Sequence, residues 1–200
     1  MRWFFRSLVA FAILWVVYIL SPYVALYSFA KAAQARDAAA IGERVDFPAV
    51  RISLAKQLAA AYLRATGADK TATSGSLTAS AGAALLDPLI AAYLTPQAMI
   101  DLFAGQGPSA SAAVPRFELP FDPADISFER LKQLFLVSEM RGFRVFMVAL
   151  PYQNPPDERF RLLMRLTGPS EGFTWRVVGL DLPDSVKDRV VAELIKRGTS

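Results

Sequence analysis

Asp46, Tyr62 and Tyr93 are the residues of this 200-residue chain whose types best suit acid–base work. A buried carboxylate can take a proton while a phenol gives one, as in isomerisation or dehydration of a small apolar substrate. Asp46 has a second use: it stands just before Phe47-Pro48, where an aspartate caps a helix, and that use accounts for it fully. Ser53 and Lys56 fall at S-x-x-K spacing, but the S-D-N and K-T-G elements that complete such a nucleophilic site are missing from the sequence. Arg51 suits a structural ion pair or an anionic ligand. Arg159, Arg161 and Arg165, with Arg144 and Arg176, would form one cationic sheet face. Such a face is the wet side of an antiparallel sheet, or a contact for lipid headgroups or an acidic partner. Gly105-Gln106-Gly107 lacks the strand–turn–helix setting of a phosphate loop and reads as linker.

The chain has no Cys and no His. Ser-His and Cys-His nucleophiles, thiolate or imidazole metal sites and disulfides are therefore excluded. No cofactor motif is present and none is expected. The net charge of +4 is spread unevenly, at +5 over residues 1–65, −4 over 66–125 and +3 over 126–200. No segment is basic enough for nucleic acid, so none is expected as a partner. The pI near 9.5 fits a surface lying beside anionic lipid.

What positions these residues begins with an uncharged run of 24 residues, 7–30, between Arg6 and Lys31. As a helix it would be about 36 Å long, against a hydrocarbon core of about 30 Å. A cleavable signal peptide is the competing reading, but the nearest A-x-A (Ala33-Gln34-Ala35) lies well beyond Leu20 and past Lys31. An uncleaved anchor is preferred, with membrane lipid around residues 7–30 and a kink or early helix end near Ser21, before Pro22. Trp3, Phe4 and Phe5 at one end and Tyr18, Tyr23 and Tyr27 toward the other suit two interfacial belts. Arg2 and Arg6 favour a cytoplasmic N-terminus, which in a bacterium places the following domain in the periplasm on the inner membrane.

Periodicity predicts helices over 24–44 (weakened or ended by Gly42), 48–65, 85–93 and 95–103, with a loop over 66–83 and a linker over 105–115. The period then changes. Strands are expected over 126–138, 143–150, 159–167 and 173–181, followed by a helix from about 184 to 197. In the third, Phe160, Leu162, Met164 and Leu166 alternate with arginines. The fold class is therefore α+β: an N-terminal transmembrane helix, helices packed on a curved four-stranded antiparallel sheet, and a C-terminal helix.

The stretches SPYVALYSFAKAAQARDAAAIGERVDFPAVRISLAKQL, LLDPLIAAYLTPQAMIDLF and FTWRVVGLDLP resemble the bacterial family known as domain of unknown function 2939. The resemblance covers about residues 20–183, with the VDFPAVR core as its most specific piece. It implies a membrane-anchored envelope protein and carries no assigned activity. More loosely, helices followed by a sheet ending in Trp175-Arg176-Val177 are similar to nuclear transport factor 2-like cones, which host enzymes and binding modules alike.

Two function classes follow. The first is a non-catalytic binding or accessory module, with residues 1–30 as a transmembrane signal anchor, 31–200 as an extracytoplasmic domain and another membrane protein as partner. Asp46, Arg51, Tyr62 and Tyr93 would then be pocket or partner contacts. The alternative is a cone-fold acid–base enzyme of the isomerase or dehydratase type. The module is the preferred reading, and no catalytic activity is expected.

Overall fold

One helix, α1 (Arg2–Gln34), covers the whole apolar run and continues past it. In the computed structural model, which describes residues 2–66, 95, 97, 100, 128–150 and 154–198, every residue from 2 to 17 is exposed. Further along the same helix Pro22, Leu26, Phe29, Ala30, Ala32 and Ala33 are buried. Of the kink or early end expected near Ser21, the early end does not occur: α1 runs on through Pro22 to Gln34. Pro22 deprives the Tyr18 carbonyl of its helical donor, and the Ser21 hydroxyl donates to that carbonyl instead at 2.7 Å.

The break comes at residues 35–37, where Arg36 takes a left-handed conformation (φ 52°) and Asp37 caps α2 (Ala38–Arg44) by accepting from the Ala40 amide at 2.9 Å. Gly42 lies inside α2, which runs two residues past it to Arg44, so the interruption of the helix expected over 24–44 falls at residues 35–37 and not at Gly42. Helix α3 (Phe47–Thr66) begins as the sequence predicts. The Asp46 carboxylate accepts from the Ala49 amide at 3.0 Å, and Pro48 lies in the first turn.

The sheet is antiparallel throughout, in the order β1-β2-β3-β4. Its strands are β1 (Ser138–Met140), β2 (Val145–Leu150), β3 (Phe160–Leu166) and β4 (Trp175–Asp181). Most of the strand expected over 126–138 is instead α4 (Phe128–Leu136). Phe128, Leu131, Leu134 and Phe135 repeat at helical spacing, and the charged Glu129, Arg130 and Lys132 between them fit a helix better than an alternating strand.

Register explains the core. Phe146 faces Met164, Val148 faces Leu162 and Leu150 faces Phe160; Leu166 in turn faces Trp175, and Met164 faces Val177. All lie on one sheet face, where they pack with Leu26 and Phe29 of α1, Ile41 of α2, Val50 and Leu54 of α3, Leu134 of α4 and Val186 of α5 (Asp184–Gly198). Pairing shifts between Leu163 and Met164, which partner Gly179 and Val177, so Val178 is the extra residue of a bulge.

Helix α3 lies along the edge of β4 and occupies hydrogen-bonding groups that would otherwise stay open. The Asp46 amide donates to the Val177 carbonyl at 2.8 Å. Gln57 donates to the Leu180 carbonyl at 2.9 Å and accepts from the Leu182 amide at 3.0 Å. Covered in this way, β4 offers no ready template for pairing with another chain.

The helix expected over 85–93, the linker over 105–115 and Tyr93 lie outside the described residues, as does the loop expected over 66–83 except for Thr66, which is the last residue of α3. Of 95–103 only Thr95, Gln97 and Ile100 are described, and Ile100 is fully buried in the core.

Candidate functional site

Opposite the core face, Arg165 of β3 stands directly across from Arg176 of β4. Two like charges in that position repel unless anions compensate them. Asp46 answers Arg165, its second carboxylate oxygen 3.7 Å from the guanidinium while the first holds the α3 cap. Glu171, in the β3–β4 loop, answers Arg176 at 3.3 Å. A third arginine, Arg144 at the foot of β2, donates through Nε and Nη2 to the Leu166 carbonyl at 3.2 and 3.1 Å. Among the described residues no carboxylate lies within ion-pair distance of it.

These side chains line a groove of about 670 Å³ between the α2–α3 junction and the β3–β4 loop, with Gly42, Pro48, Thr167 and Gly168 among its walls. Gly42 has nothing within 4 Å of where a Cβ would stand, so it leaves that side open. Among the described residues three arginines stand against two carboxylates, so that lining is net cationic. The Nε of Arg176 is buried with no hydrogen-bond partner among the described residues, and this leaves one donor unused. The arrangement suits an oxyanion, which planar guanidinium groups recognise well. Among the described residues its lining contains no lysine, and the Thr167 hydroxyl is engaged with Thr174 at 3.2 Å.

The arginines expected on one face divide into two sets. Arg144, Arg165 and Arg176 meet at one end of the sheet. At the other end Arg161 stands across from Asp181, and Arg159 donates to the Asn154 carbonyl at 2.7 Å. Asp46 joins the first set. Arg51 is half-buried one turn into α3, its Nε buried without a hydrogen-bond partner among the described residues. Tyr62 is 44% exposed and lies four turns beyond Asp46, about 24 Å along the helix, so the two do not form an acid–base pair. Ser53 also does other work: its hydroxyl takes a 3.2 Å hydrogen bond from Gln57 and lies 3.3 Å from where a Cβ of Gly179 would stand. Among the described residues no three acidic groups could hold a metal ion. Sequence reasoning missed Glu171, which lay unremarked in a turn.

The groove is at the end of the sheet where α1 leaves the domain. There the Trp175 indole donates to the Ser21 hydroxyl at 2.8 Å, and the Tyr18 hydroxyl donates to the Phe143 carbonyl in the β1–β2 turn. Tyr23 stands edge-on to Phe146 at 5.0 Å and hydrogen-bonds Ser138 at 2.7 Å.

Residues 11–102 match the family described as protein of unknown function (DUF2939). The chain is thus similar to that family from α1 through α3 and the segment that follows. The match stops well short of residue 183 and leaves out the sheet and its arginines. No curated protein and no solved structure matches the chain, so the likeness to cone folds rests on element order alone.

Proposed function

We propose that the chain is a single-pass, membrane-anchored envelope protein whose folded domain serves as a non-catalytic binding or accessory module. One observation carries this reading: α1 is continuous, bare over residues 2–17 and built into the domain core from Pro22 to Ala33. A single rigid element would then join bilayer to domain and hold the domain at fixed height. Cleavage after Ala35 would strip Leu26, Phe29, Ala32 and Ala33 from the core, which favours retention of the helix. Arg2 and Arg6 on the short N-terminal flank favour a periplasmic domain. A second membrane protein is the expected partner. The groove chemistry fits this reading, since the described lining can hold an anion through its arginines.

The test is the mass of the mature protein in bacterial membranes after alkaline extraction, together with protease access from the periplasmic side. An intact N-terminus in the extracted membrane, with the domain digestible from outside, is the expected result. A soluble chain beginning after Ala35 would overturn the reading.

A further inference from the structure

The bare part of α1 is short for a bilayer. Residues 2–17 span about 24 Å, and only the 11 residues 7–17 are both uncharged and exposed all round. A hydrocarbon core is about 30 Å thick. Even with Arg2 and Arg6 snorkelling to one surface, the opposite boundary falls near residue 22, where α1 is already entering the domain. On one side the lipid-like surface does continue, through Leu20 at 53% and Val24 at 62% exposure. The end of the domain around Tyr18 and Ser21 must therefore meet the outer leaflet.

Two turns project from that end. The β1–β2 turn carries Phe143, 73% exposed, beside Gly142 at φ 76°. The β3–β4 loop carries Phe173, 63% exposed and itself at φ 50°, after Gly172 at φ 78°. Positive φ at a phenylalanine is strained and needs a compensating use. Arg144 adjoins the first aromatic tip, Arg176 follows the second by three residues, and the groove they share with Arg165 opens at the same end.

We propose that this end of the domain is a membrane-docking surface. Phe143 and Phe173 enter the interfacial layer of the outer leaflet, and Arg144, Arg165 and Arg176 take the phosphate of an anionic phospholipid headgroup. The inference rests on the anchored-module reading and adds its ligand class. Phenylalanine side chains bury their apolar surface at the boundary between headgroups and acyl chains, and each arginine near an anionic surface is worth roughly five-fold in binding.

Because the chain has no cysteine, Ser170→Cys in the β3–β4 loop gives a unique labelling site that leaves both phenylalanines in place. The full chain, labelled there with a fluorophore, is reconstituted in nanodiscs of phosphatidylcholine alone or with phosphatidylglycerol, and quenched with acrylamide, which is neutral. Quenching is expected to fall when phosphatidylglycerol is present. Arg144→Gln with Arg176→Gln should lower the docked-to-undocked ratio about twenty-five-fold and restore quenching, whereas Arg144→Lys with Arg176→Lys retains most of the protection. Phe143→Ser with Phe173→Ser should raise quenching in the phosphatidylglycerol nanodiscs to the level seen in phosphatidylcholine alone. Equal quenching in the two lipids, or protection that ignores the glutamine pair, overturns the proposal. If alkaline extraction also frees the chain, the anchored reading fails with it; if the chain stays embedded, the docking inference alone fails.

Discussion

The two halves of α1 are alike in being apolar and opposite in fate. Between Arg6 and Lys31 there is no charge, yet Phe11 is 64% exposed and Phe29 is fully buried. The difference lies in the neighbours. Residues 8–17 present large side chains in every direction (Leu8, Val9, Phe11, Ile13, Leu14, Trp15), as a helix surrounded by lipid does. From Ser21 onward the large residues Leu26 and Phe29 are set among Ala25, Ala30, Ala32 and Ala33, which let the sheet approach closely. The changeover sits at Pro22, where Ser21 both replaces a lost helical donor and receives the Trp175 indole. An apolar helix can therefore be membrane span and protein core in succession, with no charge marking the join.

The strongest way to break the comparison is deletion. Removing residues 1–17 should leave a domain that unfolds cooperatively, because those side chains touch little of it. Removing 1–35 also takes Leu26 and Phe29, each worth roughly 2–5 kcal/mol in a packed core, from a domain whose total stability is about 5–15 kcal/mol. Loss of cooperative unfolding, read by circular dichroism against urea, is expected for the second deletion only. Point substitutions sharpen the contrast. Phe29→Ala should cost about 3–5 kcal/mol and Phe11→Ala less than about 0.5, measured by hydrogen exchange of β2 and β3 amides in the detergent-solubilised chain.

Much of the domain could be read from residue order. The alternation in β3 placed Phe160, Leu162 and Met164 inward, and Asp46 before Phe47-Pro48 marked the start of α3. The four-stranded antiparallel sheet and the last helix followed from the change of period. The join within α1 could not be read, since lipid and protein core both accept apolar side chains. The helix–strand boundary before β1 was lost because a three-residue strand carries too few alternations to show a period. The candidate site was legible in part. Asp46, Arg144, Arg165 and Arg176 were singled out, but their convergence depends on the bulge at Val178, which sets Arg176 across from Arg165. Arg161 is alike in sequence pattern but stands four residues from Arg165 along β3, about 13 Å, and so falls at the other end with Arg159.

The joint itself should respond less than the core. Ser21→Ala leaves both the Trp175 indole N–H and the Tyr18 carbonyl without the hydroxyl they share, for a cost of about 1–3 kcal/mol. Trp175→Phe keeps a ring beside Phe146 and loses one hydrogen bond, about 1 kcal/mol. If the two costs come out reversed, the packing of the indole matters more than the hydroxyl bridge, and the join is held by ring contact.

The smallest effect lies at the far end of the domain, where α5 starts. The Lys187 ammonium, 2.7 Å from the Asp184 carboxylate, holds that carboxyl below its ordinary value of 3.8 through a hydrogen bond and then through charge, with Arg64 and Arg161 adding to it. A carboxyl lowered on folding stabilises fully above its unfolded pKa and loses that contribution as the pH falls through the folded one. The side chain is 73% exposed, so solvent screens the pair and Asp184→Asn should cost no more than about 0.5 kcal/mol at neutral pH. The difference from wild type should vanish in acid, once both folded and unfolded carboxyls are protonated. It should also be the same with residues 1–17 present or removed, because the bare half of α1 contributes nothing to the domain that α5 reports on. A difference that changed with the deletion would mean that the exposed half of the helix is energetically coupled to the far end of the sheet, and the division of α1 at Pro22 would not hold.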